Sequence, residues 1–250
     1  MSHLRLNCDL GESFGAWQKG DDAAVMPFID QANIACGFHA SDPVTMMQTV
    51  ALAKQYQVSI GAHPSYPDLV GFGRRSMACS TAEIRALVTY QIGALAAVCR
   101  VHDSAVSYVK PHGALYNDMI ADSEVFQAVC AAVAAYDADL PLMVMATEAN
   151  DKWRALAKPY GLTLWFEGFA DRAYDDNGRL RARRQAGAVY QHRADILTQA
   201  ERFAQRQPIV SYQGRELSIE IDSLCVHGDN AESLATVKAI RQRLQQLTTS

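Results

Sequence analysis

Four of the chain's seven histidines, His39, His63, His112 and His227, stand within two residues of a glycine at the end of a short apolar run. Each run is followed by a segment with helical periodicity. In a barrel of parallel strands, strand ends of one polarity open onto one face, and active sites are built there. The pattern predicts several imidazoles around one pocket. Imidazole exchanges protons near neutral pH and also ligates metals. A single such histidine could merely cap a helix; four in the same topological position argue for a site. The first run ends Asn7-Cys8-Asp9-Leu10-Gly11-Glu12. It supplies two carboxylates, Asp9 and Glu12, one suited to act as a general base or metal ligand and the other to orient a histidine. Asp9, His39 and His63 together make a two-histidine, one-carboxylate set, the ligand number of an open catalytic metal site. The same three could work without metal, as a base and its orienting partners.

Charged residues at other strand ends complete the candidate set. Lys110 precedes Pro111-His112, and a lysine there could bind a carboxylate or phosphate, or form a Schiff base when desolvated. Arg74 and Arg172 lie in loops after the third and sixth strands, and arginine reads such anions bidentately. Glu167 ends the sixth strand as a candidate buried acid, and His227 ends the seventh. His3, His102 and His192 lack this setting and read as surface residues.

The elements that must position these groups alternate from end to end. Strands are expected at Leu4–Cys8, Ala32–Cys36, Val58–Ala62, Val106–Val109, Leu142–Ala146, Leu162–Phe166 and Ser223–Val226. Helices are expected near Asp22–Ile29, from Asp42-Pro43 to about Tyr56, after the capping box Ser80-Thr81-Ala82-Glu83, after Asp122, near Ala149–Pro159, near Arg193–Arg206, and after Asn230. A hairpin is expected to pair Ile209–Tyr212 with Leu217–Ile221. This alternation implies an α/β fold with a parallel sheet covered on both faces. Polar residues end almost every strand, which favours a single-domain seven-stranded β/α barrel over an open sheet with one switch point.

Composition narrows the function. The chain has 250 residues, 49% of them hydrophobic, which suits one compact domain rich in buried strands. Its 23 basic and 27 acidic residues are well mixed, for a net charge of −4, so nucleic acid and anionic membrane are not expected partners. No apolar run is expected to span a bilayer. The N-terminus has no signal-peptide architecture, which makes the cytoplasm the expected location. None of the six cysteines forms a C-x-x-C pair. They read as reduced packing residues, with Cys36 the best placed as a nucleophile. Neither a dinucleotide fingerprint nor a P-loop is present.

The motifs NCDLGESFG (Asn7–Gly15), NIACGFHASDP (Asn33–Pro43), GAHPSYPDLVGFGRR (Gly61–Arg75), VKPHGALYN (Val109–Asn117), EGFADRAY (Glu167–Tyr174) and CVHGDN (Cys225–Asn230) give the chain its strongest signal. In these stretches it resembles the LamB/YcsF family. With the segments between them they cover essentially the whole chain. The resemblance implies a seven-stranded barrel of the glycoside hydrolase/deacetylase type. It also implies ATP-dependent opening of the lactam ring of 5-oxoproline to L-glutamate, in a complex with two partner subunits. In that chemistry Asp9, Glu12, His39, His63 and His112 are the catalytic candidates. Arg74, Lys110, Glu167, Arg172 and His227 are the substrate-binding candidates. ATP is the expected cofactor, and because no P-loop exists here the nucleotide could sit on a partner; a divalent metal is left open. Two other readings stand beside this one: a metal-dependent deacetylase or amidohydrolase acting without ATP, and a non-catalytic substrate-binding subunit.

Overall fold

A computed structural model describes residues 4–228 and 230–249. His3 lies outside the described residues. Seven parallel strands close into a barrel: β1 (Arg5–Leu10), β2 (Gln31–Ala35), β3 (Ser59–His63), β4 (Val106–Val109), β5 (Leu142–Met145), β6 (Leu164–Phe169) and, after a small hairpin of β7 (Ile209–Val210) and β8 (Glu216–Leu217), β9 (Ser223–Val226). The barrel closes where β1 pairs β9, with Asn7 opposite Cys225 and Cys8 opposite Val226. Closure leaves no sheet edge exposed, and helices cover the outside.

Those helices are α1 (Asp22–Val25), α2 (Pro43–Gln55), α3 (Thr81–Val101), α4 (Gly113–Ala121), α5 (Ser123–Tyr136), α6 (Asn150–Ala157), α7 (Arg193–Ala204) and α8 (Ala231–Thr249). Their starts follow local chemistry. Asp42 accepts from the amides of Val44 and Thr45 ahead of Pro43. Ser80 and Glu83 form the expected reciprocal capping box. Asn230 accepts from Ser233 at the start of α8. α4 is not among the expected helices: it precedes Asp122, which ends it and caps α5 as expected. Among the described residues α3 is the one unbroken helix that would suit a membrane span by length and composition, where none is expected, and α4 with α5 would do so only as a pair bent by 119°. In the fold α3 is an outer barrel helix, its Ile84, Val88, Ile92, Leu95 and Cys99 buried in the core.

The barrel interior is polar where an all-apolar filling is the norm. Asp9 of β1 is in register with Asn33 of β2, Asn33 with Gly61 of β3, and Gly61 with Tyr108 of β4. A Cβ on Gly61 would overlap the Tyr108 ring, so the glycine is what lets that ring lie across the barrel. The Tyr108 hydroxyl then donates to Asn33 Oδ1 at 2.6 Å. Asn33 Nδ2 donates to Asn7 Oδ1 and Asp9 Oδ1, each at 2.8 Å. Beneath them Asn7 donates to Ser223, which donates to Gln31. Buried polar groups must be paired, and this column pairs nearly every one while locking the position of Asp9.

Candidate active site

His39, His63 and His112 converge at the C-terminal mouth of the barrel, all buried. His39 and His112 stack face to face, ring centroids 3.7 Å apart and planes within 4°. His63 meets both edge-on. Local backbone geometry permits this. Gly73 has φ +63°, and a Cβ there would come within 2.8 Å of His39 Cβ and 2.9 Å of His112 Cδ2. The Gly73 carbonyl accepts from the amide of Ala114, fixing the loop over the start of α4.

The neighbours of each ring decide its tautomer. His63 Nδ1–H donates to the Lys110 carbonyl at 2.7 Å. His112 Nε2–H donates to the Phe72 carbonyl at 3.0 Å. His39 Nδ1–H donates to Ser65 Oγ at 3.0 Å, because that hydroxyl spends its own proton on the Tyr66 carbonyl. The nitrogens left facing inward are then His63 Nε2, His112 Nδ1 and His39 Nε2. The first two face each other at 2.9 Å, and the third is buried with no partner. Burial, then repulsion within the cluster, holds His39 and His112 well below the usual imidazole range, so both are neutral at physiological pH.

Glu12 joins from the first loop. A ligand-capable atom from each of Glu12, His39, His63 and His112 lies within 4.8 Å of the others, so these four could hold a metal ion. Burial pushes the Glu12 carboxyl up, against the pull of Lys19, whose ammonium pairs with Glu12 Oε2 at 2.5 Å. The sequence pattern places Asp9 among the metal ligands with His39 and His63; the fold sets it beside the four instead. Its Oδ2 lies 3.4 Å from His63 Nε2, while its Oδ1 is held by Asn33 and Lys110. Burial raises the Asp9 carboxyl, but His63 and Lys110 outweigh it and hold the group well below the usual carboxylate range.

Lys110 is not a surface cation. It is 3% exposed, and Nζ reaches Glu167 Oε1 at 2.7 Å, Asp9 Oδ1 at 2.9 Å and Asn7 Oδ1 at 3.2 Å. An ammonium has three protons, so all are used within the chain. Burial opposes the charge, but Asp9, Cys225 and Glu167 more than restore it and keep the amine well above the ordinary lysine range. That removes the Schiff-base option and turns the expected substrate anchor into a counter-ion for two of the site's own carboxylates. Glu167, fully buried, accepts from the Tyr116 hydroxyl at 2.6 Å through its other oxygen. It too is committed to the chain rather than open to a ligand.

The remaining candidates divide. His227 follows β9, one residue past the Cys8–Val226 pair, which sets it beside Asp9. Its Nδ1 lies 2.9 Å from Asp171 Oδ2, and that carboxylate, against burial, raises the imidazole above its usual range. The pair lines a cavity of about 240 Å³ with Tyr190, Arg193, Ser233 and Thr236. Arg74 is exposed on the rim, its guanidinium over the Phe72 ring. Arg172 is buried, and its guanidinium donates to the carbonyls of Ala188 and Arg181. It braces the loop after β6 instead of facing the cluster. Cys36 is no nucleophile: burial pushes its thiol up to about 12, and its Sγ donates to the Ile34 carbonyl. His192 is exposed as expected, whereas His102 is half-buried.

Sequence reading passed over Asn7, Asn33, Tyr108, Tyr116 and Ser65. Asn7 and Asn33 carried a usable signal. Each is an amide inside an apolar strand, and Asn7 lies two residues from Asp9, on the same face.

A β/α barrel with histidines and carboxylates gathered at its C-terminal mouth defines a class of small-molecule enzyme sites. The sequence model of the LamB/YcsF family matches residues 4–250. A protein of Chromohalobacter salexigens named as a 5-oxoprolinase subunit is 57% identical over 242 residues, 97% of each chain. Another 5-oxoprolinase subunit, from Pseudomonas putida, is 56% identical, and the match covers 99% of this chain and 96% of that one. The crystal structure of a lactam utilization protein from Thermus thermophilus superposes with a TM-score of 0.91 at 38% identity, covering 99% of this chain and 98% of that one. The chain belongs to the LamB/YcsF family.

Proposed function

We propose that this chain is the barrel subunit of an ATP-dependent 5-oxoprolinase that opens 5-oxoproline to L-glutamate together with two partner subunits in the cytoplasm. The observation that carries the reading is the ionised Asp9 beside His63 at the mouth of the barrel, in a chain 57% identical to a protein named for that activity. A lactam amide resists water. Transfer of the γ-phosphoryl group of ATP to the lactam oxygen makes the ring carbon electrophilic. Water adds there, the C–N bond breaks as nitrogen takes a proton, and a second water cleaves the resulting acyl phosphate to give phosphate and glutamate.

Asp9 takes the proton of the attacking water. Its side chain is 18% exposed while the three histidines are buried, so it is the member of the group that meets solvent. Glu12, His39, His63 and His112 surround the reacting volume. The cavity lined by Asp171 and His227 receives the substrate, with His227 and Arg193 drawing its carboxylate. Arg74 on the rim is placed to meet phosphoryl oxygens. The nucleotide sits on a partner.

The test is glutamate formation from 5-oxoproline by the purified chain and by the reconstituted complex, each with and without ATP. Turnover that needs both ATP and the partners is expected. ATP-independent turnover that needs a divalent metal would favour the amidohydrolase reading, which the Glu12 and histidine cluster supports. Turnover by the partners alone with an unchanged kcat and a raised KM would make this chain a substrate-binding subunit.

A further inference from the structure

We propose that Glu12, His39, His63 and His112 form a transition-metal site of zinc type, with Asp9 outside the ligand set as the base. The inference does not depend on the identity of the substrate. Its starting point is the three hydrogen bonds that fix the tautomers. Each ring donates its one proton outward, to the Lys110 carbonyl, the Phe72 carbonyl or Ser65 Oγ. This is the outer support that metal-ligating histidines characteristically have.

The inward nitrogens then pose an electrostatic problem. Two ring nitrogens, His63 Nε2 and His112 Nδ1, face each other at 2.9 Å, and without a proton between them both present lone pairs. That contact is repulsive unless a positive centre lies between them. A shared proton would answer it, but would leave His39 Nε2 buried and unpartnered. A metal ion answers all three at once, and Glu12 supplies a fourth donor with negative charge. Tetrahedral bonds of about 2.0–2.2 Å set donor atoms roughly 3.3–3.6 Å apart. The close histidine pair would open slightly and the others, now within 4.8 Å, would close in.

Donor chemistry selects the metal. Three imidazoles and one carboxylate suit zinc, cobalt, nickel or ferrous iron, whereas magnesium prefers an all-oxygen octahedron. Asp9 Oδ1 is already taken by Asn33 and Lys110, which keeps this carboxylate off the metal and directs Oδ2 at His63. Lys19, paired with Glu12, occupies the counter-charge position that a metal would take over.

The experiment uses the full chain stripped with chelator and titrated with Co²⁺ and Zn²⁺ alone. One equivalent of Co²⁺ should give the intense visible d–d bands of a tetrahedral nitrogen-rich site, displaced by Zn²⁺ and not by Mg²⁺. Zn²⁺ should also raise the melting temperature of the stripped chain. His39→Asn and Glu12→Gln should each weaken binding about 10-fold or more, while Asp9→Asn should still bind one equivalent. Glu12→Gln is nearly isosteric, so it remains informative if His39→Asn fails to fold. Absence of stoichiometric Co²⁺ binding, or binding unchanged in Glu12→Gln, would overturn the proposal. Loss of binding in Asp9→Asn with retained binding in Glu12→Gln would assign the metal to a different set and overturn it as well. Each readout is made without 5-oxoproline, so failure here leaves the proposed reaction standing.

Discussion

Asp9 and Lys110 are bound into one electrostatic unit, and their substitutions should separate chemistry from folding. Asp9→Asn keeps the shape and leaves Lys110 paired with Glu167. It should fold like the wild type and lower kcat/KM in the reconstituted complex by about 10²–10⁴-fold, as expected for loss of a general base. Lys110→Met is a different case. It strands the fully buried Glu167 and the partly buried Asp9, and removing one partner of a buried ion set costs about 3–5 kcal/mol. Chemical denaturation should show that loss; a Lys110→Met chain as stable as the wild type would mean the charge is not what holds the barrel centre. A strand-end lysine has the look of a ligand anchor until its three protons are accounted for.

At the scale of elements, the β3–β4 contact decides whether the site forms. Gly61 stands where the Tyr108 ring must pass, and through that ring the strand pair positions Asn33 and so Asp9. Gly61→Ala should therefore cost about 1–3 kcal/mol, the usual range for overpacking a filled core. It should also reduce activity, because Tyr108 can yield only by dropping its bond to Asn33. Urea unfolding gives the first quantity and steady-state kinetics of the complex the second. Unchanged values for both would show that the barrel interior has more slack than the packing indicates. Helix starts were legible in the chain because capping is local: Asp42, Ser80, Asp122 and Asn230 all cap as their spacing implies. α4 was not, because its N-terminus at His112 has no side-chain cap to mark it.

For the whole molecule, the buried histidines make stability depend on pH. His39 and His112 titrate in the folded chain well below the ordinary imidazole value of 6.5. A depressed histidine contributes stability above its unfolded value, and that contribution is lost as pH falls from about 6.5 toward the folded value, where the unfolded chain binds protons that the folded one refuses. Asp9 acts in the same direction at lower pH, below the ordinary carboxylate value, because its folded value is also depressed. His227, raised by Asp171, opposes them: its contribution is full below 6.5 and fades as pH rises through its folded value. Glu12, raised by burial, opposes them as well, but His39 and His112 are driven further from their ordinary values and set the sign. The melting temperature of the metal-free chain should thus fall between pH 7 and pH 5, and fall less in His39→Asn. A flat profile over that interval would show that the cluster is charged in the folded state.

Alternating strand and helix patterns, with a polar residue at almost every strand end, favoured the seven-stranded barrel over an open sheet and marked Asp9, Glu12, His39, His63, His112 and His227 as candidates for its mouth. Those signals are local: a period of two or 3.6, a cap, a glycine at a sharp turn. The assignment of roles needed the closed barrel. Lys110 and Glu167 are 57 positions apart in the chain and meet only because closure brings β4 and β6 to one axis. Arg172 left the candidate set because Ala188 and Arg181, placed by the folded excursion after β6, take its protons. The tautomers of the three histidines depend on a serine and two backbone carbonyls, and a carbonyl has no letter in a sequence. Residue types state which chemistry is available; distances between groups far apart in the chain decide which of it remains after the protein has satisfied its own hydrogen bonds and charges.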